Sequence, residues 1–378
     1  MPSKSRLAFI DLLRGWAVLV MVEVHVFNAF IRPDIRTEDW FKALNFINGL
    51  VAPSFIFISG FVFVLTSQKK IESFRSFGYP FWKQLGRIGL VLLTGYALHL
   101  PFYSLHRIIT DTVEKGWLVF YQSDVLHCIA IGLLLLFLLR LAINDNRVYR
   151  AVLFLGGLIV IGIAPFIWNI DFINFMPAPL AAYMNGQHYS IFPLFPWMGF
   201  MLFGGFFAMG YSAAREAGRE QVYISRLALV GALVMVGGAI IDALPIHIHI
   251  ASSDIRANPF FFLERLGIVL LLLTICWYYA AWRHTERSFV LDAGRESLMV
   301  YAAHLLVIFG QFWQYHSLYF YYGKSAGVVS CIVATLVLVT LMVAAAKLWE
   351  WLKQNHLPLA RVMFWIFAGT TLLVFILK

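Results

Sequence analysis

The chain has 378 residues, of which 61% are hydrophobic and only 13% charged. A soluble domain runs about 45–50% apolar and about 25% charged, so a soluble enzyme and a secreted disulfide scaffold are both excluded. The formal net charge is +9, yet no loop carries a long basic run, which argues against a nucleic-acid partner.

A membrane span needs roughly 20 apolar residues. Eleven candidate spans follow, at 9–31, 44–66, 85–105, 123–142, 149–168, 191–213, 225–245, 260–282, 297–315, 325–352 and 359–377. This excludes a single-span receptor, and no segment between spans reaches the ~50 residues of a separate globular domain. The expected fold is therefore an all-α polytopic bundle, with 1–378 forming one transmembrane domain. Lys4 and Arg6 before an apolar run imitate a signal peptide, but Asp11 and Arg14 interrupt that run and no small-residue cleavage site follows, so an uncleaved first span is expected. His99 and Pro101 interrupt the third span, and Pro193 and Pro196 open the sixth. Cys128, Cys276 and Cys331 sit in apolar stretches without CxxC spacing and read as buried small hydrophobes. With the N-terminus cytoplasmic, Lys and Arg favour the inner face by about two to one, and an odd number of spans puts the C-terminus outside. The outer loops then collect His106, His188, His247, His249 and His316 with Trp40, Trp117, Trp168 and Trp313, mostly as an interfacial belt. His247-Ile248-His249 lacks the spaced ligands that a metal site needs.

The first span carries the chemistry. Arg14, Glu23 and His25 are ionisable groups inside one span, and each must find a protein partner to offset the cost of insertion. Eleven residues at 100° each bring Arg14 and His25 to within about 20° of one helix face, roughly 16 Å apart along the axis. Arg14 then lies near the cytoplasmic surface and His25 past the midplane. Asn28 follows His25 by nearly one turn on a similar face, whereas Glu23 points almost opposite and needs another partner.

The Arg14-to-His25 spacing, within Ile10-Asp11-Leu12-Leu13-Arg14-Gly15, resembles the first-span motif of the transmembrane acyltransferase superfamily. Further stretches resemble its heparan-alpha-glucosaminide N-acetyltransferase-like branch. These are Ala52-Pro53-Ser54-Phe55-Ile56-Phe57-Ile58-Ser59-Gly60 in the second span, Phe192-Pro193-Leu194-Phe195-Pro196-Trp197-Met198-Gly199 at the sixth, and Gly294-Arg295-Glu296-Ser297-Leu298 with Tyr301 and His304 in a late block. The resemblance implies an eleven-span enzyme that moves an acetyl group from cytosolic acetyl-CoA to an extracytoplasmic glycan or amino sugar. Two departures stand out. In the lysosomal members the proposed reactive histidine lies slightly after the first span, with Asn at the place of His25; here no histidine occurs between His25 and His99, so His25 looks more like the O-acyltransferase branch. The basic pair of the third span appears as Lys83 and Arg87, with Gln84 where an Arg would stand.

His25 is thus the expected catalytic residue, either as a base toward an attacking hydroxyl or amine or as a nucleophile that carries the acetyl group. Asp124, which shares a face with His127 at the outer start of the fourth span, is a candidate to orient it, as an acid orients the base of a triad. Arg14, Lys83, Arg87 and Arg295 are candidates for the donor's phosphates, and Ser297, Tyr301 and His304 for the lining of its path. The bland readings are an Arg14–Asp11 pair, positive-inside anchors and polar helix–helix contacts. Glu23, Asn28, His127 and Trp197 are candidates for the acceptor. No metal is expected. Membrane lipid is a necessary partner, a homodimer is compatible with this reading, and a bacterial inner membrane is the expected location. The rival class is a transporter or lipid-binding protein without chemistry, whose usual sign, paired repeats with interrupted helices, is not detected.

Overall fold

The computed structural model describes residues 7–244, 254–283, 288–310 and 317–378. Among these the chain is helical, and one isolated bridge, Ile31 to Ala326, is the sole β pairing. The helices begin with α1 (Ala8–Phe30), α2 (Asp39–Asn48), α3 (Val51–Ser67), α4 (Ile71–Arg75), α5 (Tyr79–Leu98) and α6 (Leu105–Asp111). Next come α7 (Glu114–Tyr121), α8 (Val125–Ala142), α9 (Asn146–Ile167), α10 (Ala178–Ala181), α11 (Leu194–Glu216) and α12 (Glu220–Ala243). The last are α13 (Pro259–Arg283), α14 (Phe289–Arg295), α15 (Ser297–Phe309), α16 (Leu318–Tyr322), α17 (Val328–Asn355) and α18 (Leu357–Leu377).

Eight of these stretches are long and apolar enough to cross a membrane: Asp39–Ser67, together with α8, α9, α11, α12, α13, α17 and α18. The other three spans read from the sequence fall on α1, α5 and α15. The ends differ where local chemistry outweighs hydropathy. The third span, expected at 85–105, is α5 at Tyr79–Leu98. Pro80 is tolerated in the first turn, where the missing N–H has no helical partner, while Pro101 drives the residue before it out of the helical region. The ninth, expected at 297–315, is helical over Ser297–Phe309 and capped by Gly310, whose φ is 22°, while 311–315 lie outside the described residues.

The chain divides into two compact units, one of Met1–Val51, Leu98–Phe120 and Tyr279–Lys378, the other of Ala52–Ala97 and Tyr121–Tyr278. In the first, α1 is the central element and packs against α14, α15 and α17. A Cβ placed on Gly294 would run into the main chain of Asp11, and one on Gly15 into the main chain of Val290. Small residues therefore let α1 and α14 touch backbone to backbone, which is how helices associate where lipid is as apolar as the side chains. The last carbonyls of α1 have no helical donors of their own. The segment before α17 supplies them: the Lys324 N–H donates to Ala29 O at 2.9 Å and the Ala326 N–H to Phe30 O at 2.8 Å.

In the second unit α11 is central and packs against α8, α9 and α12. Its proline-rich start frees carbonyls that protein groups must satisfy. The Ser123 hydroxyl donates to Phe192 O at 2.8 Å and the Trp168 indole N–H to Phe195 O at 2.8 Å. Cys128, Cys276 and Cys331 are free and buried, as the sequence suggested.

Replacing Gly294 by Val should force α1 and α14 apart at a cost of at least about 1–3 kcal/mol. Thermal unfolding in detergent checks this against Gly237→Ala on α12, where nothing lies within 4 Å of an added Cβ and the midpoint should hold.

Candidate functional site

The polar side chains of α1 leave the helix in different directions and meet different partners within the first unit. His25, half-buried, turns toward α15. Its Nδ1 lies 2.9 Å from the Met21 carbonyl oxygen, one turn back, and 3.1 Å from Nε2 of His304. His304 is fully buried, and its own Nδ1 lies 2.7 Å from the Val300 carbonyl oxygen. The two imidazoles are 5.0 Å apart between centroids and tilted by 51°. Tyr301 stands edge-on to His304 at 5.9 Å, and Phe309 edge-on to His25 at 6.4 Å. Of the stripe expected along the ninth span, His304 thus meets His25 and Tyr301 meets His304, while Ser297 begins α15 a turn earlier. The contact between His25 and His304 was not foreseen, because no local pattern links residues 279 apart.

Glu23 faces away from His25, as two residues of helical rotation require, and hydrogen-bonds to the side chain of Asn48 on α2. One oxygen of each, Glu23 Oε1 and Asn48 Oδ1, is buried without a hydrogen-bond partner among the described residues. Asn28 is exposed near the end of α1, where its carbonyl accepts from the Arg36 guanidinium at 2.6 Å.

At the other end of α1, Arg14 donates to Gly294 O at 3.1 Å and lies 3.9 Å from the Asp11 carboxylate, the pairing that their spacing allows. Arg295 is 3.1 Å from Glu350 on α17 and 3.8 Å from Asp292. Lys353 on α17 pairs with Glu296. Glu350 and Lys353 are residues that sequence reasoning passed over as partners. Their signal is present in hindsight, since Lys347, Glu350 and Lys353 place charge every three residues at the C-terminal end of α17.

The second unit holds the basic pair. Lys83 and Arg87 on α5, with Lys70, Ser73, Tyr79 and Gln84, line a cavity of about 300 Å³ that has no carboxylate in its wall. The Lys83 ammonium lies over the Tyr79 ring, 5.3 Å from its centroid. Asp124 and His127 form a reciprocal cap at the start of α8. Asp124 Oδ1 accepts from the Val125 N–H at 2.7 Å, and the Asp124 N–H donates to His127 Nδ1 at 3.3 Å. Asp124 and His25 belong to different units. Trp197 is buried against Phe192 and Phe200, with ring centroids at 4.8 and 6.0 Å. Its indole N–H has no acceptor among the described residues. Among the histidines expected in outer loops, His188 bonds to Asp171 at 2.8 Å and holds that carboxyl below its usual range. His247, His249, His316 and Trp313 lie outside the described residues. Within the described residues no cluster of three or more His, Cys, Asp or Glu is suited to a metal.

The family model described as heparan-alpha-glucosaminide N-acetyltransferase, catalytic, matches residues 6–246, well over half of the chain. The match takes in Arg14, His25, Lys83, Arg87, Asp124 and Trp197, and it ends before α14 and α15. No curated protein matches the chain.

The cap generates a prediction. Asp124→Ala should lower stability by about 1 kcal/mol, whereas Asp124→Asn, an equally good capping residue, should melt with the unaltered protein. The Asn variant keeps the cap but removes the carboxylate that an orienting role toward His25 needs, so its transfer activity, measured at unchanged stability, tests that role.

Proposed function

The chain belongs to the heparan-alpha-glucosaminide N-acetyltransferase catalytic family of membrane acetyltransferases, and from that premise we propose an acetyl transfer centred on His25. The donor is acetyl-CoA presented at the cytoplasmic face. The acceptor is an amino or hydroxyl group of a glycan on the far side, with a glucosamine-like sugar favoured by the family's name. The observation that carries this reading is the pair of imidazoles, His25 and His304, in contact between α1 and α15. Ionisable groups are costly to bury in a membrane bundle, and such placements mark functional positions.

An amine or hydroxyl attacks a thioester only as it sheds a proton. An imidazole that titrates near neutrality can accept that proton, or can itself take up the acetyl group before passing it on. In both routes the carbonyl carbon gains a bond to the acceptor and loses its bond to sulfur, and the proton ends on the CoA thiol. Fixed dipoles in a low-dielectric bundle would stabilise the tetrahedral intermediate better than water does.

The donor's phosphates are assigned to the cavity of Lys70, Lys83 and Arg87, where three cations face no lining carboxylate. Arg14 and Arg295 serve this function indirectly, because their hydrogen bonds and ion pairs tie α14 to α1 and α17. On the acceptor side Asn28 lies one turn beyond His25, and the buried indole N–H of Trp197 offers a donor to a sugar oxygen. Glu23 and His127 complete the acceptor candidates. The inner-face excess of Lys and Arg in the sequence supports a cytoplasmic N-terminus, and with it eleven crossings.

The test uses sealed vesicles of known orientation. Acetyl-CoA on the cytoplasmic side should acetylate an impermeant amino sugar on the other side, and His25→Ala should abolish this while leaving donor binding intact. Near-normal turnover by a well-folded His25→Ala protein would sink the reading.

Neutralising Lys83 and Arg87 together should raise the donor KM more than it lowers kcat. Contacts to phosphates remote from the thioester are equally present in ground and transition states. A fall in kcat at unchanged KM would place these residues in folding or gating instead.

A further inference from the structure

We infer that His304 is a positioning residue, which holds the His25 ring in one tautomer-consistent orientation and offers it a neutral acceptor. The inference rests on the transfer reading above, which makes His25 the reacting group, and goes beyond it by assigning a role to a residue outside the matched family segment.

Three distances fix the hydrogen-bond directions. A carbonyl oxygen can only accept, so the 2.7 Å contact with Val300 O puts a proton on Nδ1 of His304. The same logic at 2.9 Å from Met21 O puts a proton on Nδ1 of His25. The 3.1 Å contact between His25 Nδ1 and His304 Nε2 then has a single consistent sense. The His25 N–H is shared between Met21 O and His304 Nε2, and His304 accepts through its lone pair. The reverse sense fails: a proton on His304 Nε2 would need a lone pair on His25 Nδ1, which would then face the Met21 carbonyl oxygen with no hydrogen between them.

His304 is thus the neutral Nδ1–H tautomer, and His25 carries its proton on Nδ1, which makes Nε2 the nitrogen that would offer its lone pair to the reaction. Met21 O selects the tautomer. His304 adds what a carbonyl one turn back cannot, a second anchor from another helix that restrains rotation of the ring. It also faces the proton that remains on Nδ1 when Nε2 takes the acceptor's proton, so the imidazolium forms with an acceptor already in place. In the transfer, the acceptor's nitrogen or oxygen bonds to the acetyl carbon as its proton passes to His25 Nε2. The carbon–sulfur bond then breaks, and the proton moves from His25 to the departing sulfur. His304 exchanges no atoms in these steps. Its part parallels that of the acid in a Ser-His-Asp triad, performed without charge.

The test compares His304→Met with His304→Gln, two unbranched side chains of similar length that differ in whether they can accept. His304→Met should lower kcat by about 10–100-fold, the usual cost of losing a group that orients a reacting ligand, with donor KM nearly unchanged. His304→Gln should recover most of the loss. Turnover by His304→Met at the rate of the unaltered protein would overturn the proposal, as would an equal loss in both variants. Nitrogen-15 spectra of histidine-labelled, unaltered protein provide a measurement that needs no variant. They should show Nδ1–H and a bare Nε2 on both rings, and a proton on His304 Nε2 would overturn the assignment. The His25→Ala arm separates the two levels: activity retained there overturns the transfer reading itself, while the spectra still report on the pairing.

Discussion

Ionisable groups on one helix organise half of this molecule. A charged residue at the centre of a span costs about 2.5–3.5 kcal/mol on insertion scales, and α1 carries Arg14, Glu23 and His25. Each is answered by a different element: Arg14 by the Gly294 carbonyl, Glu23 by Asn48 on α2, and His25 by His304 on α15. A helix with polar groups on several faces cannot lie at the edge of a bundle with one face in lipid. This is why α1 is central to its unit, although it opens the chain. The glycine contact belongs to the same constraint. A side chain at position 294 would hold α14 away from α1 and take the Gly294 carbonyl out of reach of the Arg14 guanidinium.

The basic residues divide into two kinds by what faces them. At the Arg14 end of α1, Asp11, Asp292, Glu296 and Glu350 answer Arg14, Arg295 and Lys353, so each of these three cations faces at least one carboxylate. Such a set fixes helix ends and leaves little field to attract an anion. The cavity beside α5 is the opposite case, three cations with Tyr79, Gln84 and Ser73 and no lining carboxylate. Since a guanidinium already shared between two carboxylates gains little by exchanging them for phosphate, the cavity of Lys70, Lys83 and Arg87 is the better place for a polyanionic donor.

What the sequence made legible was local. Each of the eleven predicted spans falls on a helix, because hydropathy over about 20 residues is a property of the segment alone. The Arg14-to-His25 spacing was legible because helix geometry is fixed. So was the opening of the sixth span at Pro193 and Pro196, though not that Ser123 and Trp168 would meet the carbonyls there. Asp124 and His127, read from the sequence as sharing a face, meet in a reciprocal cap at the start of α8. The illegible part was tertiary. Glu350 meets Arg295 and His304 meets His25 across long stretches of chain, and no periodicity encodes which apolar helices become neighbours. The division into two units, each built from separated stretches, was hidden for the same reason.

A neutral partner for His25 follows from where it sits. In a Ser-His-Asp triad a buried carboxylate orients the base and stabilises the imidazolium that forms. Inside an apolar bundle a carboxylate in the place of His304 would bring its own desolvation cost. An imidazole offers one lone pair and no net charge, provided its tautomer is fixed. Both histidines achieve this with the same device, a bond from Nδ1 to the carbonyl one turn earlier in their own helix, Met21 for His25 and Val300 for His304. Each ring is thereby tied to its own helix, and the distance between the rings becomes a property of how α1 crosses α15. The close approach of α1 and α14 through Gly15 and Gly294 helps to set that crossing, because α14 ends at Arg295 and α15 begins at Ser297. Packing between backbones far from His25 in the sequence therefore governs the geometry of its imidazole.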